Sequence, residues 1–295
     1  MTAPGALELA LEIGRVTAGT SDITRRLEEL WPQLRTVVPF EAAWTGVFDP
    51  GRQGYQTLTA VGHDAVNRAY LESGSFNDQV EAFGLFRRNR PLCLRDAPVP
   101  FAEIPSWADR WWPAGYREGL GVPLVARDGR HLGLITMYTD SSAHPSDAAR
   151  DVIGTVAPMI AAAIDPMTTI AGLASLVGDA RAGSVVGRGG AMHRLPGMPS
   201  HPLFTQNSCV VPTALAKLTE NRTQTAFLCP DPRGLDDYVR VTAIACPPQA
   251  PNYFAAVILL SPSASIHRRD SSGAGLNSSG AGRFWCRPES PIDDR

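Results

Sequence analysis

The chain has 295 residues, 44% hydrophobic and 19% charged, with 27 basic against 29 acidic side chains and a net charge of −2. That length suits about two domains of ordinary size, and the charge balance excludes a polybasic nucleic-acid binder at whole-chain level. No run approaches the roughly 20 apolar residues of a membrane helix. The five cysteines (Cys93, Cys209, Cys229, Cys246, Cys286) form no C-x-x-C pair, which argues against a zinc site or disulfide framework and for a cytoplasmic protein.

The N-terminal "MTAPGALELALEIGR" carries Glu8 and Glu12 among its apolar residues, so it reads as an amphipathic helix rather than a signal peptide, with Leu7, Leu11 and Val16 on one face. Ser21 caps a second helix whose Ile23, Leu27, Leu30, Trp31, Leu34, Val37 and Val38 recur at helical spacing as far as Pro39. "AAWTGVFD" and "YQTLTAVG" flank the turn "PGRQG" and predict a hairpin. "HDAVNRAYLESG" is a short helix opened by Asp64, and "NDQVEAFGLFRRNR" continues as helix or as an irregular segment. "PLCLRDAP" is a short strand, and "SWADRWWPAGY" is helical as far as Pro113. "REGLGVPLVARDGRHLGLITMYTD" is the clearest hairpin, turning at Asp128-Gly129. "HPSDAARDVIGTVAPMIAAAI" is a long helix with Val152, Val156, Met159, Ile160, Ala163 and Ile164 on its buried stripe and a kink at Pro158. The order describes one α+β domain, an antiparallel sheet covered by its first and last helices.

A second α+β unit starts near Pro166. "AGSVVGRGGAMHRLPG" reads as strand, turn, strand, "VPTALAKLTE" as a short helix, and "TQTAFLCP", "YVRVTAIACP" and "NYFAAVILLSP" as three strands of a meander. Beyond Ser261 the apolar period stops, "SSGAG" occurs twice, and the composition is that of flexible coil. The expected division is 1–165, 166–261 and a disordered Ser/Gly/Arg-rich tail over 262–295.

The late hairpin "GYREGLGVPLVARDGRHLGLITMYTD" and the long helix after it resemble the end of a GAF domain, and the element order extends the resemblance over about Leu7 to Asp165. Residues 181–261 are similar to a PAS-like fold. The tandem, with "FLCPDPRGLDDYVRVTAIACPP" in its second part, resembles actinobacterial sensory regulators that end in a LuxR-type DNA-binding domain. The resemblance implies small-molecule sensing coupled to transcription, a homodimer through the terminal helices, and no catalysis. It names no cofactor. Residues 262–295 show no recognition helix, so DNA binding is not expected of this chain. Lys217 is the only lysine, as in a GC-rich gene, and a frameshift near codons 262–268 would explain the tail.

A pocket of this family lies between the sheet and the helices that cross it. The candidates are Trp44 on the first strand, Cys93 and Arg95 on a middle strand, Trp107, Trp111 and Trp112 on one face of the covering helix, Tyr116, and Arg117 with Glu118 at the start of the late strand. The tryptophans are an aromatic wall over a ligand or plain core packing, with packing favoured. Arg117 and Glu118 hold a polar ligand group or are solvated. A reductase of methionine sulfoxide on this scaffold needs more than one cysteine, and Cys93 stands alone, so a buried and inert thiol is favoured. His131 is expected at the surface beside its turn. "GRGG" lacks the G-K-[ST] of a phosphate loop and reads as a turn. Asp231, Asp236 and Asp237 lack calcium-loop spacing, so no metal is expected. A purely structural interaction module remains the third reading, beside sensor and enzyme.

Overall fold

Apolar runs bounded by turn residues become strands where the sequence puts them. The computed structural model describes residues 3–17, 23–167, 170–171, 179–205, 208–219, 222–234, 238–246 and 254–263. The Ser21 cap, Asp236, Asp237 and the tail from residue 264 onward lie outside the described residues. The chain divides into two compact units, the first built on residues 1–172 and the second on most of the remainder.

The first unit opens with α1 (Ala3–Thr17) and α2 (Ile23–Arg35). Strands β1 (Ala42–Asp49) and β2 (Gly54–Val61) form the expected hairpin, with a bulge opposite Thr45 and Gly46. Three short helices follow: α3 (Ala65–Leu71), α4 (Gly74–Ala82) and α5 (Leu85–Arg88). The Asp64 carboxylate accepts from the Asn67 N–H at 2.7 Å and the Ser73 hydroxyl from the Phe76 N–H at 3.3 Å, so each of the first two starts at a side-chain cap. Strand β3 is only Leu92–Cys93; β4 (Glu118–Val125) and β5 (His131–Thr139) form the late hairpin around Gly129. Helix α6 (Asp147–Ile164) starts at the Ser146 cap and buries Ile153, Val156, Ile160 and Ile164.

The sheet order is β2-β1-β5-β4-β3, antiparallel at every step. One face carries α1, α2 and α6. The other carries α3, α4, α5 and a π-helical turn over Trp107–Trp111, packed on Trp44, Tyr55, Leu134 and Tyr138. The α+β class and the helix-flanked sheet are as the sequence led one to expect.

Three expectations change. Helix α1 buries Leu9, Ile13 and Val16, while Leu7 and Leu11 are 64% and 67% exposed, so the apolar face was misassigned. Strand β3 is an edge strand, not a middle one, and Arg95 follows it in a 3-10 turn. The tryptophan segment is a π-helix in which the Trp112 N–H donates to the Trp107 carbonyl at 2.9 Å. The wider turn rotates Trp112 out of the Trp107–Trp111 face; it is 37% exposed and stacks on Phe101 at 4.3 Å.

The second unit has β6 (Ala182–Gly187), β7 (Met192–Arg194), α7 (Val210–Lys217), β8 (Gln224–Pro230), β9 (Tyr238–Ala245) and β10 (Phe254–Pro262). Its sheet order, β7-β6-β10-β9-β8, repeats that of the first unit position for position. Helix α7 covers one face of β8 and β9, and Val239, Val241 and Ala243 alternate inward beneath it. "GRGG" is a turn, with Gly190 at φ 83°.

Candidate functional site

The pocket-bearing face of the first sheet is unusual in what it lacks. Gly119 and Gly121 lie on β4 beside Tyr138 and Thr136 of β5, and Gly46 lies on β1. Missing side chains there leave a shallow floor. Neighbouring side chains fill it: a Cβ on Gly46 would stand 2.0 Å from the Trp44 ring, one on Gly119 2.6 Å from the Trp107 ring, and one on Gly121 3.2 Å from Leu85. A cavity of about 50 Å³ is left between the sheet and the short helices, bordered by Cys93, Trp107, Gly121 and Thr136 among others. That is space for a few waters.

Trp44 is fully buried, its indole N–H donating to the Thr57 hydroxyl at 2.8 Å and its ring meeting Tyr55 and Phe76 edge-on at 5.8 and 5.7 Å. Trp111 lies 4.6 Å from the Tyr138 ring and 6.2 Å from Tyr116, and Trp107 lies 5.9 Å from Tyr138. Trp44, Trp107, Trp111 and Tyr116 thus meet in one aromatic cluster, and of these only Trp107 borders the cavity. Thr136 Oγ1 is buried with no hydrogen-bond partner of good geometry, though near enough to the Tyr138 hydroxyl to counter slightly the burial that raises that phenol's pKa.

Cys93 borders the cavity from the sheet edge. Burial pushes its thiol up to about 11, with Arg95 opposing weakly. Such a thiol is almost wholly protonated at neutral pH and is a poor nucleophile.

The expected polar ligand groups go elsewhere. Glu118 is 3% exposed, so it is neither solvated nor free. Its Oε1 accepts from the Leu94 and Gly119 N–H groups at 2.6 and 2.9 Å, and its Oε2 from the Arg95 N–H and Nη1 at 3.3 and 3.4 Å. Arg95 continues outward, donating to the Pro145 carbonyl at 2.9 Å and to Asp147 at 2.7 Å. It is a clip between the edge strand and the start of α6, outside the cavity. Arg117 donates to the Trp112 and Tyr116 carbonyls at 3.1 and 2.9 Å and lies 4.5 Å over the Trp112 ring, again outside the cavity. Removing the carboxylate strands the N–H donors of Leu94, Arg95 and Gly119, while the Arg95 guanidinium keeps Asp147. Glu118→Ala is expected to cost about 3 kcal/mol, read as a lowered urea midpoint with unchanged slope. A midpoint within experimental error of the wild type would show that Glu118 is not the tie.

Two histidines enter the site, His131 against the expectation that it lies at the surface and His63 without a sequence signal. His131 is half-buried rather than free at the surface: it stacks on Phe48 at 4.5 Å, its Nε2 lies 3.3 Å from the Tyr55 hydroxyl, and desolvation lowers its pKa to about 3. His63 is 8% exposed, edge-on to Trp111 and Tyr138 at 5.7 and 5.3 Å, with neither ring nitrogen hydrogen-bonded. Burial lowers its pKa to about 4, against a smaller opposing effect of Asp64. Neither lies in a motif; the alternate glycines of "EGLGVPL" were the one legible signal of the floor.

In the second unit, Asp231 Oδ1 accepts from the Arg233 N–H at 3.0 Å, and His201 Nε2 lies 3.7 Å from the same oxygen. His201 Nδ1 accepts from the Leu203 N–H at 3.2 Å. Among the described residues no group of three His, Cys, Asp or Glu is placed to hold a metal, and no helix is long and apolar enough to cross a membrane.

No family model matches the sequence, and no curated protein matches it. Solved structures are similar in fold. The GAF domain of a phosphoenolpyruvate-protein phosphotransferase from Coxiella burnetii is 20% identical with a TM-score of 0.44, covering 60% of this chain and 99% of its own. A domain of a sensor histidine kinase from Sinorhizobium meliloti is 16% identical with a TM-score of 0.36, covering 48% and 90%. Bacteriophytochrome RpBphP3 from R. palustris is 10% identical with a TM-score of 0.44; the alignment covers 89% of this chain and 64% of that one. These likenesses are of fold alone, and what the site can do follows from its own geometry.

Proposed function

We propose that this chain is a sensory regulatory protein. Its first unit is a small-molecule sensing or dimerisation module, and its second relays the state of the first. The observation that carries this reading is the glycine floor, whose space is filled by Trp107 and Leu85 from the short-helix layer as well as by Trp44 of the sheet. Side chains on separate short elements can withdraw without breaking the sheet. The finer assignment, to a LuxR-type transcription regulator acting as a homodimer, is supported by the sequence resemblance alone. Catalysis is not part of the proposal: Cys93 is a lone, buried and protonated thiol in this unit.

The second reading is an interaction module with a collapsed pocket, favoured by the cavity of about 50 Å³. Native mass spectrometry of gently purified protein separates the two. The sensor is expected to retain a small molecule, and Gly121→Val, which fills the floor, is expected to lose it. Apo mass alone, with no thermal shift on adding small-molecule extract of the expression host, would leave only the interaction module.

A further inference from the structure

A second cleft lies beside the first, sharing Val80 and Leu85 with it but opening elsewhere. Its volume is about 550 Å³, within the roughly 300–1,000 Å³ of small-molecule sites. Four aromatic rings border it: Phe48, Tyr55, Phe86 and His131. His131 sits between the two phenylalanines, with ring centroids 4.5 Å from Phe48 and 3.3 Å from Phe86. Tyr55 crosses Phe48 edge-on at 5.5 Å.

The rim carries charge of a definite balance. Asp78 and Glu81 of α4 both border the cleft and are exposed. Among the described residues the one cation on the rim is Arg87, whose Nη2 donates to the Glu81 carbonyl at 3.4 Å. His131 adds no positive charge near neutral pH, because burial holds its pKa at about 3. The rim is therefore net negative beside aromatic walls.

We propose that this cleft binds a small organic cation, its ammonium beside Asp78, Glu81 and the aromatic rings and its apolar body along Val80 and Leu85. An ammonium near aromatic faces gains about 0.5–2 kcal/mol from the ring quadrupoles, more as water is excluded. An anion would meet both carboxylates, and a neutral ligand would gain nothing from them. The proposal does not depend on the smaller cavity holding a ligand.

Isothermal titration of the full chain with 2-phenylethylamine, benzyltrimethylammonium and 2-phenylethanol at pH 7 and low salt tests it. At least one of the two cations is expected to bind saturably and at least about 10-fold more tightly than the alcohol, a gap of about 1.4 kcal/mol. Asp78→Asn with Glu81→Gln is expected to erase that preference without unfolding the protein, since both side chains are exposed. Phe86→Ala is expected to weaken the cation at least about 5-fold, with circular dichroism confirming the fold. Absence of saturable binding by both cations, equal binding of the alcohol, or an unchanged preference in the double variant would overturn the proposal.

Discussion

Acidification from pH 7 to pH 5 is expected to strip up to about 4 kcal/mol from the first unit, at most about 2 kcal/mol for each of two histidines, His63 buried and His131 half-buried. His63 and His131 have pKa values lowered by burial to about 4 and about 3, against about 6.5 in the unfolded chain. Well above pH 6.5 both rings are neutral in either state and the burial is harmless. Below it the unfolded chain takes up protons that the folded unit refuses. Stability therefore falls as pH falls, down to the folded pKa. Near His63 stand the Tyr138 phenol and, on its own segment, Asp64 and Arg68, whose influences on the ring oppose each other. Facing His131 are the Tyr55 hydroxyl and the aromatic faces of Phe48 and Phe86.

A domain of ordinary stability has about 5–15 kcal/mol in all, so a loss of this size lowers the urea midpoint visibly. Tryptophan fluorescence reads the right unit, since five of the six tryptophans precede residue 113. His63→Phe is the informative variant. The ring has no hydrogen bond to lose, and a phenyl ring cannot be protonated. It should remove about half of the pH 5–7 dependence, and adding His131→Phe should remove most of the rest. If the double variant titrates like the wild type, these histidines are not the source. Carboxylates held low by arginines, such as Asp128 beside Arg130 and Asp147 beside Arg95, lose their stabilisation only at lower pH and do not confuse the window.

The strands and helices were legible because each is a local statement. "EGLGVPLV" alternates, "DGR" turns, and Asp64, Ser73 and Ser146 cap. Pairing was less so. "LC" looks the same in a central or an edge strand, and only the order β2-β1-β5-β4-β3 places Cys93 at the margin. The faces of α1 shared the difficulty: leucines at 7, 9 and 11 support two registers, and packing against α6 chose Leu9 and Ile13. Polar residues were least legible. Nothing local says that Glu118 meets the backbone of Leu94 or that His131 is enclosed by Phe48 and Phe86, because those partners lie 24 to 83 residues away. Trp112 failed for a different reason, since one π-turn alters the angular spacing that a helical face assumes.

Gly133→Ala is expected to cost the first unit at least about 4 kcal/mol, at the upper end for single substitutions. Gly133 stands opposite Val47, in the one pairing that joins the β1–β2 hairpin to the β4–β5 hairpin. A Cβ there would sit 2.2 Å from the Gly46 carbonyl oxygen and 3.3 Å from the Val47 Cα. Both obstacles are backbone, so relief requires the two strands to part and their hydrogen bonds to stretch. Gly121→Ala makes the contrast. Its Cβ meets the end of Leu85 at 3.2 Å, and a flexible methyl can yield for less than about 1 kcal/mol. Urea unfolding followed by tryptophan fluorescence should find Gly121→Ala near the wild-type midpoint and Gly133→Ala far below it, having lost a large share of the about 5–15 kcal/mol of an ordinary domain. A wild-type midpoint for Gly133→Ala would mean that β1 and β5 do not run this close. The strand order would then fail at its centre, and with it the shared floor on which Trp44, Trp107 and Leu85 converge.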